Sequence, residues 1–397
     1  MIESIEKWFA QPIDDRCAAI AKVQSWRCKP LDYLALFASS MSDEEFYVSL
    51  LVVLHLGISS ELCLHVAMLM SSGFIFGNML KNLFAIPRPN PRLISRVRPS
   101  DADDYSWPST HALQSVSLPL WLGWYLAFHW GWASPKFFLI FVPVALLWAA
   151  LISWSRLYLG AHSMQDLVAG WVVGVVISTI YCYMCPDLEK QLMAGDAQRA
   201  GQIVAFSVLI LILHPMEVFI NTGLSRWSII VSQSGYLTSC DLAGVLAGAA
   251  IGLTGAPKNV PISIIERPYA GLFRFTVGPL LAGIVYFSAR KILRAMLLLG
   301  CNAVGLPVFD PPAKQAQIPP TLTLKKEGDR VVFESLNVHT FRDSASPLHQ
   351  RLTQSHLGLL LLGSGFQVMP IAKFLQYAAL SWTVCTGAPL VFTALGL

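Results

Sequence analysis

Long apolar stretches with one charged residue or none alternate with short polar segments along most of the chain. The clear stretches are 62–80, 112–132, 137–155, 164–185, 201–221, 240–256, 271–289 and 374–397. A weaker stretch covers 46–59, while 291–308 and 357–370 are shorter and are expected to be re-entrant or interfacial. Each clear stretch has about the 20 residues that a helix needs to cross a bilayer. The pattern predicts an all-α fold, a polytopic membrane helical bundle with about 8–10 spans.

The polar segments divide the chain into four predicted parts. These are an N-terminal amphipathic or interfacial segment (1–45), a membrane-embedded domain (46–308), a polar connector loop (309–356) and a C-terminal membrane segment (357–397). The first part has an apolar helical face made by Ile2, Ile5, Trp8 and Phe9. Such a face fits a helix lying on the membrane or an ordinary helix packed on the protein. Within the connector, residues 331–333 are expected to form a strand.

The composition agrees with a membrane protein. Hydrophobic residues make up 54% of the 397 residues and charged residues only 13%, about half the share of a typical soluble domain. The formal net charge is +4, which is too small for a nucleic-acid-binding protein. The apolar composition makes the lipid bilayer the expected partner. Eight scattered cysteines do not form the framework of a disulfide-rich scaffold.

Three polar motifs lie at the ends of predicted spans. They are Lys-x6-Arg-Pro at 81–89, Pro-Ser-Thr-His at 108–111, and Ser-Arg-x5-His-x3-Asp at 155–166. The first follows the second span, the second precedes the third span, and the third joins the fourth span to the fifth. Because neighbouring spans run antiparallel, these ends fall on one side of the membrane. Span counting therefore predicts that the three motifs meet in one layer.

The motifs contain what a phosphate-binding site needs. Lys81, Arg88 and Arg156 are three cations for a phosphate dianion. An arginine can bind the phosphate through two donors and a lysine acts as a point charge. Ser109 lies at a predicted helix start, where a hydroxyl and unpaired backbone N–H groups also favour an anion.

Two histidines supply groups for phosphoryl transfer. One of His111 and His162 would be the nucleophile and the other the general acid. Asp166, four residues after His162 on a predicted helical face, can accept the proton on one ring nitrogen. Two structural alternatives stay open: Ser163 and Asp166 fit a capping box, and Ser109 fits a helix N-cap. No metal-binding constellation is visible in the sequence, so we expect a reaction without metal or cofactor.

The three motifs together resemble the signature of the type 2 phosphatidate phosphatase superfamily. Thr110 stands where many members have glycine. The second motif with its preceding residues 104–107, the surroundings of the third motif at 155–163, and the run 374–397 resemble the sphingosine-1-phosphate phosphatase branch. The resemblance implies a catalytic core of that superfamily within the membrane domain.

The resemblance also implies a role for each motif residue. His162 would attack phosphorus and form a phosphohistidine, Asp166 would orient His162, and His111 would protonate the departing alkoxide and then activate water. The phosphoryl oxygens would be held by Lys81, Arg88, Ser109, Arg156 and the backbone N–H of Thr110. The branch needs no Mg²⁺ and resides in the endoplasmic reticulum as a multi-pass protein whose site faces the lumen.

The implied activity is hydrolysis of the phosphomonoester of sphingosine 1-phosphate or a related long-chain-base phosphate. Phosphatidate, lysophosphatidate or a polyprenyl diphosphate remain alternative substrates, because the motifs contact only the phosphate. A membrane transporter is the non-enzymatic alternative, although clustering of the polar motifs at one membrane face argues against it. The oligomeric state stays open.

Two acidic residues near span ends are candidates for contact with the substrate. Glu217 and Asp241 are expected on the side of the motifs, where one of them would contact the amine of a sphingoid substrate. The alternative is a structural ion pair with His214 or Arg226. Arg274 is a further charge without a predicted role.

The distribution of basic residues conflicts with a lumenal site. The side of the motifs carries Lys7, Arg16, Lys22, Arg27, Lys29, Arg92, Arg96 and Arg98. The opposite side carries Lys136, Lys190 and Arg199. The positive-inside rule therefore predicts a cytosolic site. An additional crossing near 31–59 would move the N-terminus to the other side.

Overall fold

The structure is a computed structural model that describes residues 13–55, 59–84, 86, 88–89, 93–95, 97, 104–184, 187–214, 233–255, 268–303, 323–327, 330–334 and 368–394. The helices in this part of the chain are α1 (Ile13–Gln24), α2 (Lys29–Ser40), α3 (Glu44–Val53), α4 (Ser60–Phe84), α5 (Thr110–Trp124), α6 (Pro135–Tyr158), α7 (Met164–Met184), α8 (Leu188–Met193), α9 (Ala197–Leu213), α10 (Gln233–Gly255), α11 (Pro268–Ala303), α12 (Val368–Trp382) and α13 (Ala388–Ala394). A π-helical turn, Tyr125–His129, continues α5, and another, Thr383–Gly387, joins α12 to α13.

The predicted helical membrane bundle is confirmed. Helices α4, α6, α7 and α10 are each long and apolar enough to cross a membrane, and α9 is a shorter apolar helix. The predicted stretch 201–221 extends beyond α9 into residues outside the described part. Residues 1–12, with the proposed apolar face, also lie outside it.

The expectation of a separate short segment at 291–308 was wrong. Helix α11 runs without interruption from Pro268 to Ala303 and so includes 291–303, while 304–308 lie outside the described residues. Arg290, Lys291 and Arg294 interrupt the apolar pattern there. They do not interrupt the helix, because long basic side chains are good helix formers.

The connector contains the strand that was expected at 331–333. Strand β1 (Thr323–Glu327) pairs antiparallel with β2 (Arg330–Glu334). Lys325 lies opposite Val332 in this hairpin. The rest of the predicted connector falls outside the described residues.

Helices α4 and α10 are largely buried, whereas α6 faces outward. In α6, Leu139 and Leu147 are 76% and 70% exposed. Exposed leucines on an apolar helix of 24 residues suit contact with lipid. The buried core joins α4 to α10 through side chains such as Leu64, Met70 and Leu246.

Local signals fix the two ends of α6, the second of which carries the third motif. Ser134 caps α6, its Oγ accepting from Phe137 N at 3.2 Å, and Pro135 occupies the first turn. At the other end of α6, Gly160 has φ of +70°, a conformation that side chains with Cβ adopt only with strain. A Cβ there would also lie 2.7 Å from the Ser95 carbonyl oxygen. This turn directs the chain back toward α5 before α7 begins.

Helices α5 and α7 approach each other very closely. A Cβ at Gly170 would lie 2.5 Å from the Ser109 carbonyl oxygen, and one at Gly174 would lie 2.5 Å from that of Leu113. Ser109 N also donates to the Asp166 carbonyl oxygen at 3.0 Å. The close approach places the starts of both helices, and with them the second and third motifs, side by side.

Helices α1 and α2 lie against the motif-bearing end of α6. Gln24 Nε2 donates to Tyr158 O at 2.9 Å, and Tyr158 OH donates to Asp32 Oδ1 at 2.8 Å. At the other end of α2, Ser39 Oγ accepts from Arg156 at 2.6 Å. Both ends of α2 therefore stay on the side of the motifs. The additional crossing near 31–59 is not seen among the described residues, where α3 is the one helix between α2 and α4.

Candidate active site

The first motif is joined to the others through Asp104. Lys81, near the end of α4, contacts the Asp104 carboxylate with Nζ and lies 3.5 Å from Thr110 Oγ1. Arg88 Nη2 lies 3.6 Å from the same carboxylate, and Arg88 Nε donates to the Asp104 carbonyl oxygen at 2.9 Å. Asp104 thus offsets the charge of two cations that are almost completely buried.

Arg88 also reaches the third motif. Its Nη1 donates to the Ala161 carbonyl oxygen at 2.9 Å and lies 3.4 Å from His162 Nε2. Arg156, in the last turn of α6, is only 1% exposed and donates from Nη1 to Ser39 Oγ. The prediction that the motif residues meet in one layer is confirmed by these contacts.

Asp166 is held by three donors. Its Oδ2 accepts from Ser163 N at 2.7 Å, from Ser163 Oγ at 2.9 Å and from Ser106 Oγ at 2.6 Å. The bond from Ser163 N to the Asp166 side chain is one of the two bonds of a capping box, which was the structural alternative for Asp166. The fully buried carboxylate is thereby fixed beside His162.

Asp166 does not bind His162 directly. The distance from His162 Nδ1 to Asp166 Oδ2 is 3.9 Å, which is too long for a hydrogen bond. Ser106 Oγ lies between them, 3.4 Å from Nδ1. The expectation of a shared helical face was wrong, because α7 begins at Met164 and His162 precedes it. The link between the two residues runs through Ser106.

The surroundings of His162 favour a neutral ring. Burial lowers the pKa of His162 well below its usual value, and the charges of Arg88, Arg156 and Lys81 lower this pKa further. A neutral imidazole keeps a lone pair for attack. Nε2 is the nitrogen on the side of Arg88, and Nδ1 is the nitrogen on the side of Ser106.

The second motif begins α5. Ser109 is the N-cap, its Oγ accepting from Ala112 N at 3.4 Å, so the predicted capping role is confirmed. Thr110 follows with its hydroxyl toward Lys81. His111 Nε2 lies 2.9 Å from Asp43 Oδ1. The start of this helix therefore lies among Lys81, Asp166 and the start of α3.

Three residues around the predicted groups had no predicted role. Asp104 and Ser106 precede the second motif and carried only a likeness to one phosphatase branch. Their spacing before the motif is the signal by which they could have been assigned. Asp43 lies 68 residues from His111 in sequence, and no pattern in the sequence connects the two.

Asp241 has a partner on another helix. Lys373 Nζ, on α12, lies 2.5 Å from Asp241 Oδ2 on α10. His214, one of the expected partners, has Nε2 3.2 Å from Ser239 Oγ. Glu217 and Arg226 lie outside the described residues, as does the side chain of Arg274. The charge of Asp241 is therefore matched within the protein by Lys373.

Across the described ranges, no group of three or more His, Cys, Asp or Glu side chains is arranged to hold a metal ion.

Residues 61–190 match the PAP2 superfamily, and all eight predicted site residues lie within this range. The chain is 25% identical over 225 residues to a probable sphingosine-1-phosphate phosphatase of Dictyostelium discoideum, covering 55% of this chain and 54% of that protein. It is 23% identical over 407 residues to lipid phosphate phosphatase delta of Arabidopsis thaliana, covering 99% and 90%. It is 24% identical over 293 residues to sphingosine-1-phosphate phosphatase 1 of Rattus norvegicus, covering 71% and 64%.

The chain thus spans less than two thirds of the Dictyostelium and rat proteins. No solved structure matches it. The family match confirms the resemblance carried by the three motifs. Residues 61–190 of this chain are thus similar to the PAP2 superfamily, and a longer part of it is similar to sphingosine-1-phosphate phosphatases.

Proposed function

We propose that this protein is an integral-membrane lipid phosphate phosphatase. It hydrolyses the phosphomonoester of sphingosine 1-phosphate or a related long-chain-base phosphate, in sphingolipid metabolism, through a phosphohistidine. The observation that carries the proposal is the buried His162, whose Nε2 lies 3.4 Å from the Arg88 guanidinium. A nucleophile beside a phosphate-binding cation is the arrangement that phosphoryl transfer needs.

In the first half of the reaction, His162 Nε2 attacks phosphorus as the bond to the ester oxygen breaks. Lys81, Arg88 and Arg156 stabilise the charge on the three equatorial oxygens, together with Ser109 and the Thr110 backbone N–H. Asp166, acting through Ser106, orients the His162 ring.

His111 completes both halves of the reaction. It gives a proton to the departing alkoxide, and in the second half it accepts a proton from the water that attacks the phosphohistidine. Free phosphate then leaves, and His162 is again neutral. This chemistry needs no metal or cofactor.

The lipid nature of the substrate rests on the position of the site. The proposed phosphate-binding residues, called the clamp from here on, lie near the ends of α4 and α6 and the start of α7. These three helices are apolar enough to cross a membrane. A lipid tail can stay among these helices while the head reaches the clamp. The choice of a long-chain-base phosphate follows the names of the Dictyostelium and rat relatives.

We place the protein in the membrane of the endoplasmic reticulum, with the site facing the lumen, as the family resemblance implies. The excess of basic residues on the same side opposes this orientation.

The test of the activity is phosphate release in EDTA by the purified protein. Substrates would be sphinganine 1-phosphate, ceramide 1-phosphate and phosphatidate in detergent micelles. We expect wild type to prefer the long-chain-base phosphate and His162→Ala to lose at least about a thousandfold in rate. Vanadate should inhibit wild type, because its trigonal-bipyramidal form resembles the transition state.

His129→Ala is the matched control. His129 pairs with Glu61 where α4 begins and the continuation of α5 ends, which is the side of the membrane away from the proposed site. This variant should keep near wild-type activity. Equal phosphate release by wild type and His162→Ala would overturn the nucleophile assignment. A strong preference for phosphatidate would overturn the proposed substrate class while leaving the chemistry in place.

A further inference from the structure

The start of α3 brings a carboxylate against His111 from outside the matched domain. Asp43 Oδ1 lies 2.9 Å from His111 Nε2, and the two side chains are only 16% and 13% exposed. The preceding residue, Ser42, donates from Oγ to the His111 carbonyl oxygen at 3.3 Å. Residues 42–43 therefore contact both the backbone and the ring of His111.

The same segment contacts a second member of the site. Ser39, at the end of α2, accepts a hydrogen bond from Arg156 at 2.6 Å. Residues 39–43 thus contact two predicted site residues that lie on α5 and α6. All of these contacts come from a segment upstream of residues 61–190, the range that matches the superfamily. The matched domain by itself does not supply them.

A carboxylate beside an imidazole has two effects. It favours the protonated ring through charge, and it fixes which nitrogen faces away from it. We propose that Asp43 is a positioning residue for His111: it holds Nε2, directs Nδ1 to the substrate and keeps the ring protonated for its role as general acid. This inference rests on the proposed phosphatase function.

The proton balance of the reaction shows where Asp43 acts. As the phosphorus–oxygen bond breaks, its electron pair goes to the ester oxygen, which takes the proton from His111 Nδ1. In the second half, the attacking water loses a proton to the same nitrogen while the bond from phosphorus to His162 breaks. Asp43 accepts no proton in either half. Its charge stabilises the imidazolium that exists before the first transfer and after the second.

Asp43 faces His111 from the start of α3, and His162 faces it from the loop before α7. The cations Lys81, Arg88 and Arg156 surround His162. The positive charges oppose protonation of His111, and Asp43 favours it. Removing the charge of Asp43 should therefore make His111 lose its proton at a lower pH.

The experiment compares Asp43→Asn with Asp32→Asn in full-length protein. Asparagine is as good an N-cap as aspartate, so the start of α3 should be retained. Asp32 is the matched control, because it lies in the same N-terminal region and pairs with Arg27 and Tyr158. The measurement is kcat/KM for sphinganine 1-phosphate between pH 5.5 and 9. Gel filtration would check the fold of each variant.

We expect the alkaline limb of the Asp43→Asn profile to move to lower pH by about one unit. At pH 8 the rate should fall about tenfold. Asp32→Asn should keep the wild-type profile. Asp43→Glu, which retains the charge, should keep the alkaline limb near its wild-type position even if its rate is lower. A uniform loss at every pH in Asp43→Asn would overturn the inference.

A double mutant tests whether Asp43 acts through His111. Asp43→Asn should slow wild type but should slow His111→Asn by no more than about twofold, because the group on which Asp43 acts is already gone. An equal loss in both backgrounds would mean that Asp43 has only a structural role, and the inference would fail.

Vanadate binding separates this inference from the proposed function. Calorimetric titration between pH 6 and 9 needs no turnover, and the titration of vanadate itself is the same for all variants. If wild type hydrolyses no lipid phosphate, the proposed function fails. The inference would still stand if the pH dependence of vanadate affinity moves in Asp43→Asn. It would fall if wild type and variant show the same dependence.

Discussion

His162 is an imidazole enclosed by protein and by three positive charges. Burial and the neighbouring cations both lower its pKa, so the folded protein holds the ring neutral at pH values where a free histidine is partly charged. The same environment that provides a nucleophile therefore opposes protonation. The consequence can be measured as stability as well as activity.

The unfolded chain binds a proton at His162 near pH 6.5, whereas the folded chain binds it only at a lower pH. Stability from this group is thus fully present above about pH 6.5 and is lost as the pH falls toward the folded pKa, by at most about 1.4 kcal/mol per pH unit. We expect the Tm of wild type to fall more between pH 7 and 5 than that of His162→Gln. Thermal unfolding in one detergent would measure both, and parallel curves would contradict the prediction.

At the scale of elements, the close contact of α5 and α7 sets the geometry of the site. Gly170 lets the Ser109 carbonyl approach α7, and the starts of the two helices carry His111 and Asp166. Gly201 offers a matched glycine on α9, where a Cβ would have no neighbour within 4 Å. Comparing an alanine substitution at each glycine separates the effect of close helix packing from the effect of helix propensity.

Gly170→Ala should destabilise the protein by about 1–3 kcal/mol and lower activity at least about tenfold, because the helices must move apart. Gly201→Ala should leave activity unchanged and raise stability by about 0.5–1 kcal/mol. Thermal unfolding and phosphate release would be measured on both. Unchanged activity in Gly170→Ala would mean that this contact does not position the site.

The sequence predicts the helices that carry the site better than it predicts the individual contacts between their side chains. The length of the apolar stretches located α4, α6 and α7, and counting the membrane crossings brought the three motifs together, because both depend on the bilayer alone. Such counting cannot resolve individual bonds, so it missed Ser106 between His162 and Asp166. The contact of Asp43 with His111 depends on how α3 packs, which no local pattern encodes.

The fold places the N-terminal helices and the site on one side of the membrane. Cys28, between α1 and α2, is exposed there and bonds through its backbone to Tyr158. Ala133 is exposed at the other end of α6, the helix that ends at Tyr158. Because α6 is long enough to cross the membrane, these two positions should lie on opposite sides.

Labelling of sealed microsomes with an impermeant maleimide tests this arrangement. For a lumenal site, Cys28 should react only after permeabilisation, whereas Ala133→Cys in a Cys28→Ser background should react without it. The parent Cys28→Ser protein measures the reaction of the other cysteines. The reverse pattern would place the site in the cytosol, and labelling of both positions from one side would contradict the topology.

A phosphate that binds the proposed site would have to replace the carboxylate of Asp104. This carboxylate lies against Lys81 and Arg88, the cations assigned to the phosphate. An arriving phosphate group must compete with a tethered carboxylate whose local concentration never changes. The apparent affinity for any phosphate, whether substrate, product or inhibitor, is therefore reduced by one common factor. Selectivity among lipids must come from contacts beyond these two cations.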